Sequence, residues 1–215
     1  MTLPHETSSW LELLDWRRQL SQLYAEVRER RETDPVGAHR WWAGQRDRLF
    51  AEHPQSPLPP EARAAFRELP VWPYDPALVF LGRVSIDRPE ERRQVPSSTG
   101  HDLPLVRFGR VEFGAPGAPD QQPMGLDLYW IDVYGGGVFL PFRDATSGGE
   151  SYGGGRYLLD TVKGADLGSA PSGELVLDFN FAYHPSCFYD ARWSCPLAPA
   201  GNVLDRPIRV GERAI

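Results

Sequence analysis

Leu126-Asp127-Leu128-Tyr129-Trp130-Ile131-Asp132-Val133-Tyr134, then Gly135-Gly136-Gly137, then Val138-Phe139-Leu140-Pro141-Phe142 is the stretch that decides the fold. Two runs rich in aromatic and branched residues flank a glycine turn, and that reads as an antiparallel hairpin. Upstream, residues 103–113 form another strand with a slip of phase. Val106 and Phe108 are in step, Val111 and Phe113 are in step, but the two pairs have opposite parity. One extra residue at Gly109-Arg110 restores a common face, so a β-bulge is expected there. Residues 78–86, 156–162, 175–181 and 206–210 read as further strands. About seven antiparallel strands with no helices between them predict a barrel or rolled sheet.

The N-terminal part is helical. Ser9 followed by Glu12 fits a capping box, and Leu13, Trp16, Leu20, Leu23 and Val27 then make one apolar stripe. Asp34-Pro35 predicts the N-cap and first residue of a second helix ending at His53-Pro54. A short helix is expected over 61–67. The fold class is therefore α+β, mainly β, with two N-terminal helices before the sheet. A single domain over 1–215 is expected, helical over 1–69 and β-rich over 70–215.

Composition narrows the function classes. The chain has 215 residues, of which 41% are hydrophobic and 24% charged, with a net charge of −6; this is an ordinary globular balance. Arginine clusters such as Arg28-Glu29-Arg30-Arg31 and Glu91-Arg92-Arg93 are interleaved with acids. No basic footprint for phosphate exists, so nucleic acid is not an expected partner. No run reaches the roughly 18 apolar residues of a membrane span, and the first residues lack the apolar core of a secretory signal. A cytoplasmic location is expected.

Three segments invite a chemical reading. Gly149-Glu150-Ser151-Tyr152-Gly153 matches the nucleophile-elbow pattern, but three glycines and a strand follow where that turn needs a helix. Gly153-Gly154-Gly155-Arg156 lacks the Gly-Lys-Ser/Thr ending of a phosphate-binding loop. His184, Cys187 and Cys195 suit zinc by type, yet a structural site takes four ligands and only Asp190 is near enough to be a fourth. No metal is assigned. A disulfide between the cysteines needs Cα atoms within about 7 Å, and a reducing compartment argues against one. Two reduced, mostly buried thiols are the plainer reading.

The most informative segment is polar where a strand is apolar. Leu175, Leu177, Phe179 and Phe181 alternate, leaving Asp178 and Asn180 on the other face. In the preceding strand Arg156 and Asp160 share a face. If the two strands pair, Arg156, Asp160, Asp178 and Asn180 meet on one surface, as a binding site or as a hydrogen-bonded network that fixes register.

From residue 139 onward the chain resembles a known family. The resemblance is carried by Phe139-Leu140-Pro141-Phe142-Arg143-Asp144-Ala145-Thr146-Ser147-Gly148, by Tyr152-Gly153-Gly154-Gly155-Arg156-Tyr157-Leu158-Leu159-Asp160, and by Leu177-Asp178-Phe179-Asn180-Phe181-Ala182-Tyr183-His184-Pro185-Ser186-Cys187. Trp193-Ser194-Cys195-Pro196-Leu197-Ala198-Pro199, Asn202, Pro207 and Val210-Gly211-Glu212 fit as well, with weaker similarity at 46–50 and 56–58. On these motifs the chain is identified as a member of the domain-of-unknown-function family numbered 1684. The resemblance implies no activity, cofactor or catalytic residue. The family pattern more often has Asn at His184 and Thr at Ser151, which counts against a metal and against a serine nucleophile. It retains both cysteines, which implies a shared structural role for them.

Three functions follow as expectations. The first is a small-molecule-binding module with a polar site built from Arg143, Arg156, Tyr157, Asp160, Asp178, Asn180 and Tyr183. The second is an enzyme using Asp160 or Asp178 as acid or base. The third is a protein–protein adaptor acting through Trp41, Trp42 and the helices around them.

Overall fold

The computed structural model describes residues 7–86, 89–114 and 123–214. Helix α1 (Thr7–Arg30) and helix α2 (Pro35–Glu52) form an antiparallel pair. The expected stripe of α1 is buried at Trp16, Leu20, Leu23 and Val27, and Tyr24 joins it. The capping box is corrected: α1 starts two residues before Ser9. Ser9 and Glu12 instead both receive the Gln55 amide, at 3.4 and 3.3 Å. Asp34 does cap α2, accepting the Gly37 amide at 2.8 Å, with Pro35 at the first position. Of the adjacent tryptophans, Trp42 is fully buried while Trp41 carries the Arg30 guanidinium on its face at 4.5 Å. A third helix, α3 (Pro60–Arg63), is shorter than the 61–67 expected.

Among the described residues seven strands follow: β1 (Val79–Ser85), β2 (Glu91–Pro96), β3 (Asp102–Phe113), β4 (Met124–Ile131), β5 (Val138–Phe142), β6 (Arg156–Asp160) and β7 (Leu175–Asp178). All pairings are antiparallel, in the order β6-β5-β4-β3-β1-β7, with β2 also on β3. Tyr157 and Tyr183 exchange backbone hydrogen bonds of 2.9 and 3.1 Å across the remaining gap, so the sheet is a nearly closed barrel.

The bulge lies where the phase slip places it. Arg107 faces Tyr129 and Gly109 faces Leu128, leaving Phe108 as the extra residue. One edge of β3 changes partner there, from β2 before the bulge to β1 after it. A Cβ at Gly109 would stand 2.8 Å from the Ser85 carbonyl oxygen, so only glycine allows the close approach.

Three strand expectations are corrected. β2 was not expected, because Arg92-Arg93-Gln94 shows no apolar alternation; the ladder with β3 makes it a strand. The strand at 175–181 ends at Asp178, whose carboxylate accepts the Asn180 amide at 3.1 Å and starts a 3-10 turn over Phe179–Phe181. Residues 206–210 run beside the barrel without a ladder.

Alternation separates two apolar layers. Leu126, Leu128, Leu140, Phe142, Leu158 and Leu177 pack together on one face of the sheet. Tyr129, Phe139, Tyr157 and Val176 join Trp16, Leu20, Trp42 and Phe50 of the helices on the other. β6 is therefore buried on both faces. Among the described residues no helix is long and apolar enough to cross a membrane.

Candidate functional site

The candidate residues fall into four separate neighbourhoods. β6 and β7 stand at opposite ends of the strand order and do not pair, so Arg156, Asp160, Asp178 and Asn180 do not share one surface.

Arg156 is fully buried, and its guanidinium takes the Asp144 carboxylate at 2.8 Å and the carbonyls of Ile208, Val210 and Glu212. The carbonyls of Ile208 and Val210 belong to the segment expected as a last strand, and that of Glu212 follows it. One arginine supplies the donors that a neighbouring strand would have supplied, and this explains an extended chain without a ladder. Asp144 also accepts the amides of Thr146 and Ile208, at 2.7 and 3.2 Å.

Asp178 and Asn180 form a second network with the segment before β1. Asn180 accepts the Asp75 amide at 2.7 Å and donates to the Asp75 carbonyl at 2.9 Å and to Asp178 at 2.8 Å. Burial holds the Asp178 carboxyl above its ordinary range, against hydrogen bonds from Asn180 and the nearby charge of Arg31. Every polar atom of the Asn180 side chain is in use. Asn180→Ala is expected to cost about 1–3 kcal/mol, read by urea denaturation; a neutral result would mark this pair as free for a ligand.

Arg143 lies elsewhere, beside Gly153, Gly154 and Arg93 at an open surface cleft of about 330 Å³.

The fourth neighbourhood holds Tyr157, Asp160 and Tyr183 and adjoins a cavity of about 180 Å³ between the helices and the barrel. Leu13, Trp16, Leu20 and Phe50 wall it from the helices, Val162 and Ala165 from the turn after β6, and Trp193 from the C-terminal loop. Asp160 caps the 3-10 turn Thr161–Lys163, accepting the Lys163 amide at 3.3 Å, and this brings the Lys163 ammonium to the cavity. Its nitrogen stands 3.5 Å from Asp160 and 5.8 Å from the centre of the Tyr157 ring. Burial works most strongly against that charge, but Asp160, Cys195 and Cys187 together favour it, and the ammonium is held above its ordinary range. Tyr183 donates to the same carboxylate at 3.4 Å, and burial, then Asp160, push its hydroxyl well above the ordinary tyrosine value.

Arg46 and His184 complete the polar side of the cavity. Arg46 is buried against the rings of Trp42, Phe50 and Tyr183 and binds Glu212 at 2.7 Å. The other Glu212 oxygen accepts the His184 amide at 2.7 Å and the Tyr189 hydroxyl at 2.8 Å. The His184 ring is neutral, its pKa lowered to about 3 by burial and then by Arg156 and Arg46. Its Nε2 accepts the Tyr152 amide at 3.2 Å, so the proton sits on Nδ1. That N–H stands 3.8 Å from Glu212 and has no hydrogen-bond partner.

Lys163, Arg46 and Glu212 were missed as site residues, and one of them had a sequence signal. Lys163 is the single lysine of a chain whose Lys+Arg total is 23. Arg46 and Glu212 lie 166 positions apart, and only the fold joins them.

A family model described as "Protein of unknown function (DUF1684)" matches residues 64–213. The chain belongs to this family. The solution NMR structure of an uncharacterized protein from gene locus rrnAC0354 of Haloarcula marismortui is 31% identical, covers 80% of this chain and 90% of that one, and superposes with a TM-score of 0.55. No curated protein matches the chain. The DUF1684 span contains Lys163, Tyr183, His184, Cys195 and Glu212, whereas the helical wall of the cavity is built from residues before it.

Proposed function

We propose that this DUF1684 protein binds a small, mainly apolar molecule carrying a hydrogen-bond acceptor head, such as a carboxylate or carbonyl, in the cavity between the helices and the barrel. The observation that carries the reading is a mostly apolar space into which Lys163 and His184 bring hydrogen-bond donors. Lys163 has protons beyond the one facing Asp160, and the His184 Nδ1–H is unpartnered. The His184 donor is buried without an acceptor, which is costly, and a ligand acceptor would remove that cost; the Lys163 side chain is partly exposed and adds charge rather than a stranded donor. At about 180 Å³ the cavity exceeds the roughly 150 Å³ that suffices for benzene in an engineered protein core. The ligand is therefore the size of one ring or a short acyl chain.

Binding is favoured over acid–base catalysis by the use already made of the carboxylates. Asp160 is buried and shared among Lys163, Tyr183 and a backbone amide, and Asp178 does not line the cavity. The adaptor reading is weakened because Trp42 is buried in the core and Trp41 is partly buried against it. The acidic net charge of −6 supports a partner other than nucleic acid. Two free cysteines in one small neighbourhood suit a reducing, cytoplasmic location.

Benzoate and toluene, titrated into the native protein and followed by amide chemical shifts, test the reading. Both are expected to perturb Ala165 and Tyr183. Lys163→Met keeps the hydrocarbon stem and is expected to weaken benzoate about 10- to 100-fold, the range for losing one charge-assisted hydrogen bond, with toluene unaffected. Ala165→Leu fills the cavity and should abolish both. No shifts at the lining residues with either probe would refute the proposal.

A further inference from the structure

The cavity reading leaves the two cysteines unused. Cys187 sits in a 3-10 turn (Ser186–Phe188) directly after Tyr183-His184-Pro185, and Cys195 ends the loop 187–195 that returns beside it. The Cys187 amide donates to Cys195 Sγ at 3.4 Å, and Cys187 Sγ lies 3.8 Å from the Tyr152 hydroxyl. Ser98 clamps Cys195 from the other side, its hydroxyl accepting the Cys195 amide at 3.1 Å. Both thiols are free and buried, and Cys195 lines the cavity. Among the described residues no group of three His, Cys, Asp or Glu side chains is placed to hold a metal.

The loop between them is part of the cavity wall. Trp193 and Ser194 line it, and Trp193 is held on the Pro57 carbonyl at 3.1 Å, so the same loop braces the connector after α2.

We propose that Cys187 and Cys195 are a redox-responsive pair that closes to a disulfide under peroxide and thereby changes the wall of the cavity. The polar surroundings fit the required thiolate. Hydrogen bonding from Cys195, then from Ser98 and Tyr152, draws Cys187 below the ordinary thiol range against its burial, and the neighbouring thiolate pushes Cys195 up. The Cys187 thiolate attacks one oxygen of hydrogen peroxide: the S–O bond forms, the O–O bond breaks, and hydroxide leaves and is protonated to water. The Cys195 sulfur then attacks the sulfenic sulfur. The S–S bond forms, the S–O bond breaks, and a second water leaves with the Cys195 proton. Two thiols are oxidised to one disulfide, and one peroxide is reduced to two waters. In the disulfide, Cys195 Sγ is bonded to Cys187, so the wall it forms beside Lys163 and Trp193 must shift.

Peptide mass spectrometry of the native protein after stoichiometric hydrogen peroxide tests the pair. The expected product is an intramolecular 187–195 disulfide, reversed by dithiothreitol. In Cys195→Ser, Cys187 should stop as a sulfenic acid trapped by dimedone; in Cys187→Ser, Cys195 should stay reduced under the same treatment. Two thiols left intact, or oxidised separately to sulfinic acids, overturn the proposal. The effect on the wall rests on the binding reading and is measured separately, as benzoate affinity before and after oxidation. A change of about tenfold or more is expected, and equal affinities overturn the coupling. If the reduced protein fails to bind benzoate, the binding reading fails, while disulfide mapping still decides the pair.

Discussion

Replacing Arg156 by methionine is expected to destabilise the protein by about 3–5 kcal/mol, the range for breaking a buried ion pair from one side. The Asp144 carboxylate is as buried as its partner and would lose the cation it pairs with. The carbonyls of Ile208, Val210 and Glu212 would lose a donor that nothing nearby replaces. Because these carbonyls hold the C-terminal segment against the barrel, the damage should spread to Glu212 and hence to Arg46. Urea denaturation at neutral pH checks the size. The double variant Arg156→Met/Asp144→Leu should recover at most part of the loss, since it removes the stranded carboxylate but leaves the carbonyls stranded and frees the Thr146 and Ile208 amides as well. A loss below about 1 kcal/mol would show that Arg156 is not a structural residue and would restore it as a ligand-binding candidate.

Stability is expected to fall steeply between about pH 6.5 and pH 4. His184 and His39 are both buried, and burial lowers their pKa values to about 3 and about 4. The unfolded chain binds protons at each ring with the ordinary value near 6.5. Their contribution is therefore fully present above that value and is lost as pH falls toward the folded values. By pH 4 the loss is roughly 3 kcal/mol from each ring. Asp178, held above the ordinary carboxylate range by burial, acts in the opposite sense and removes part of the slope. His184→Asn keeps an acceptor for the Tyr152 amide, so it should fold and flatten the curve by about half. Urea denaturation across this pH range measures it; a curve that stays flat in the native protein would refute the neutral, buried state of both rings.

Some of the candidate site was visible in the sequence and some was not. Asp160 stood out as a polar position in an apolar strand, with Tyr157 and Tyr183 expected nearby, and of the three Tyr183 lines the cavity. Asp178 and Asn180 stood out for the same reason, but their polarity serves a turn. Alternation reports only that a side chain differs from its neighbours; it does not report what that side chain meets. Arg156 shows the limit most clearly. Its partners are carbonyls more than fifty positions away, and backbone carbonyls leave no trace in residue identity.

The sequence by itself determined the elements. The apolar stripe of α1, the Asp34-Pro35 start of α2, the glycine hairpin and the phase slip in β3 are local patterns, and each is dictated by backbone geometry over a few residues. It also determined the sheet's antiparallel character, because no helices separate the strands. Only the tertiary structure decided which strands became neighbours, that β2 exists, and that 206–210 is tied down by a guanidinium instead of a ladder. It alone decided the cavity, whose walls come from both helices, the turn after β6 and the cysteine loop. Those choices depend on pairing and burial between distant segments, and such energies belong to no single stretch of chain.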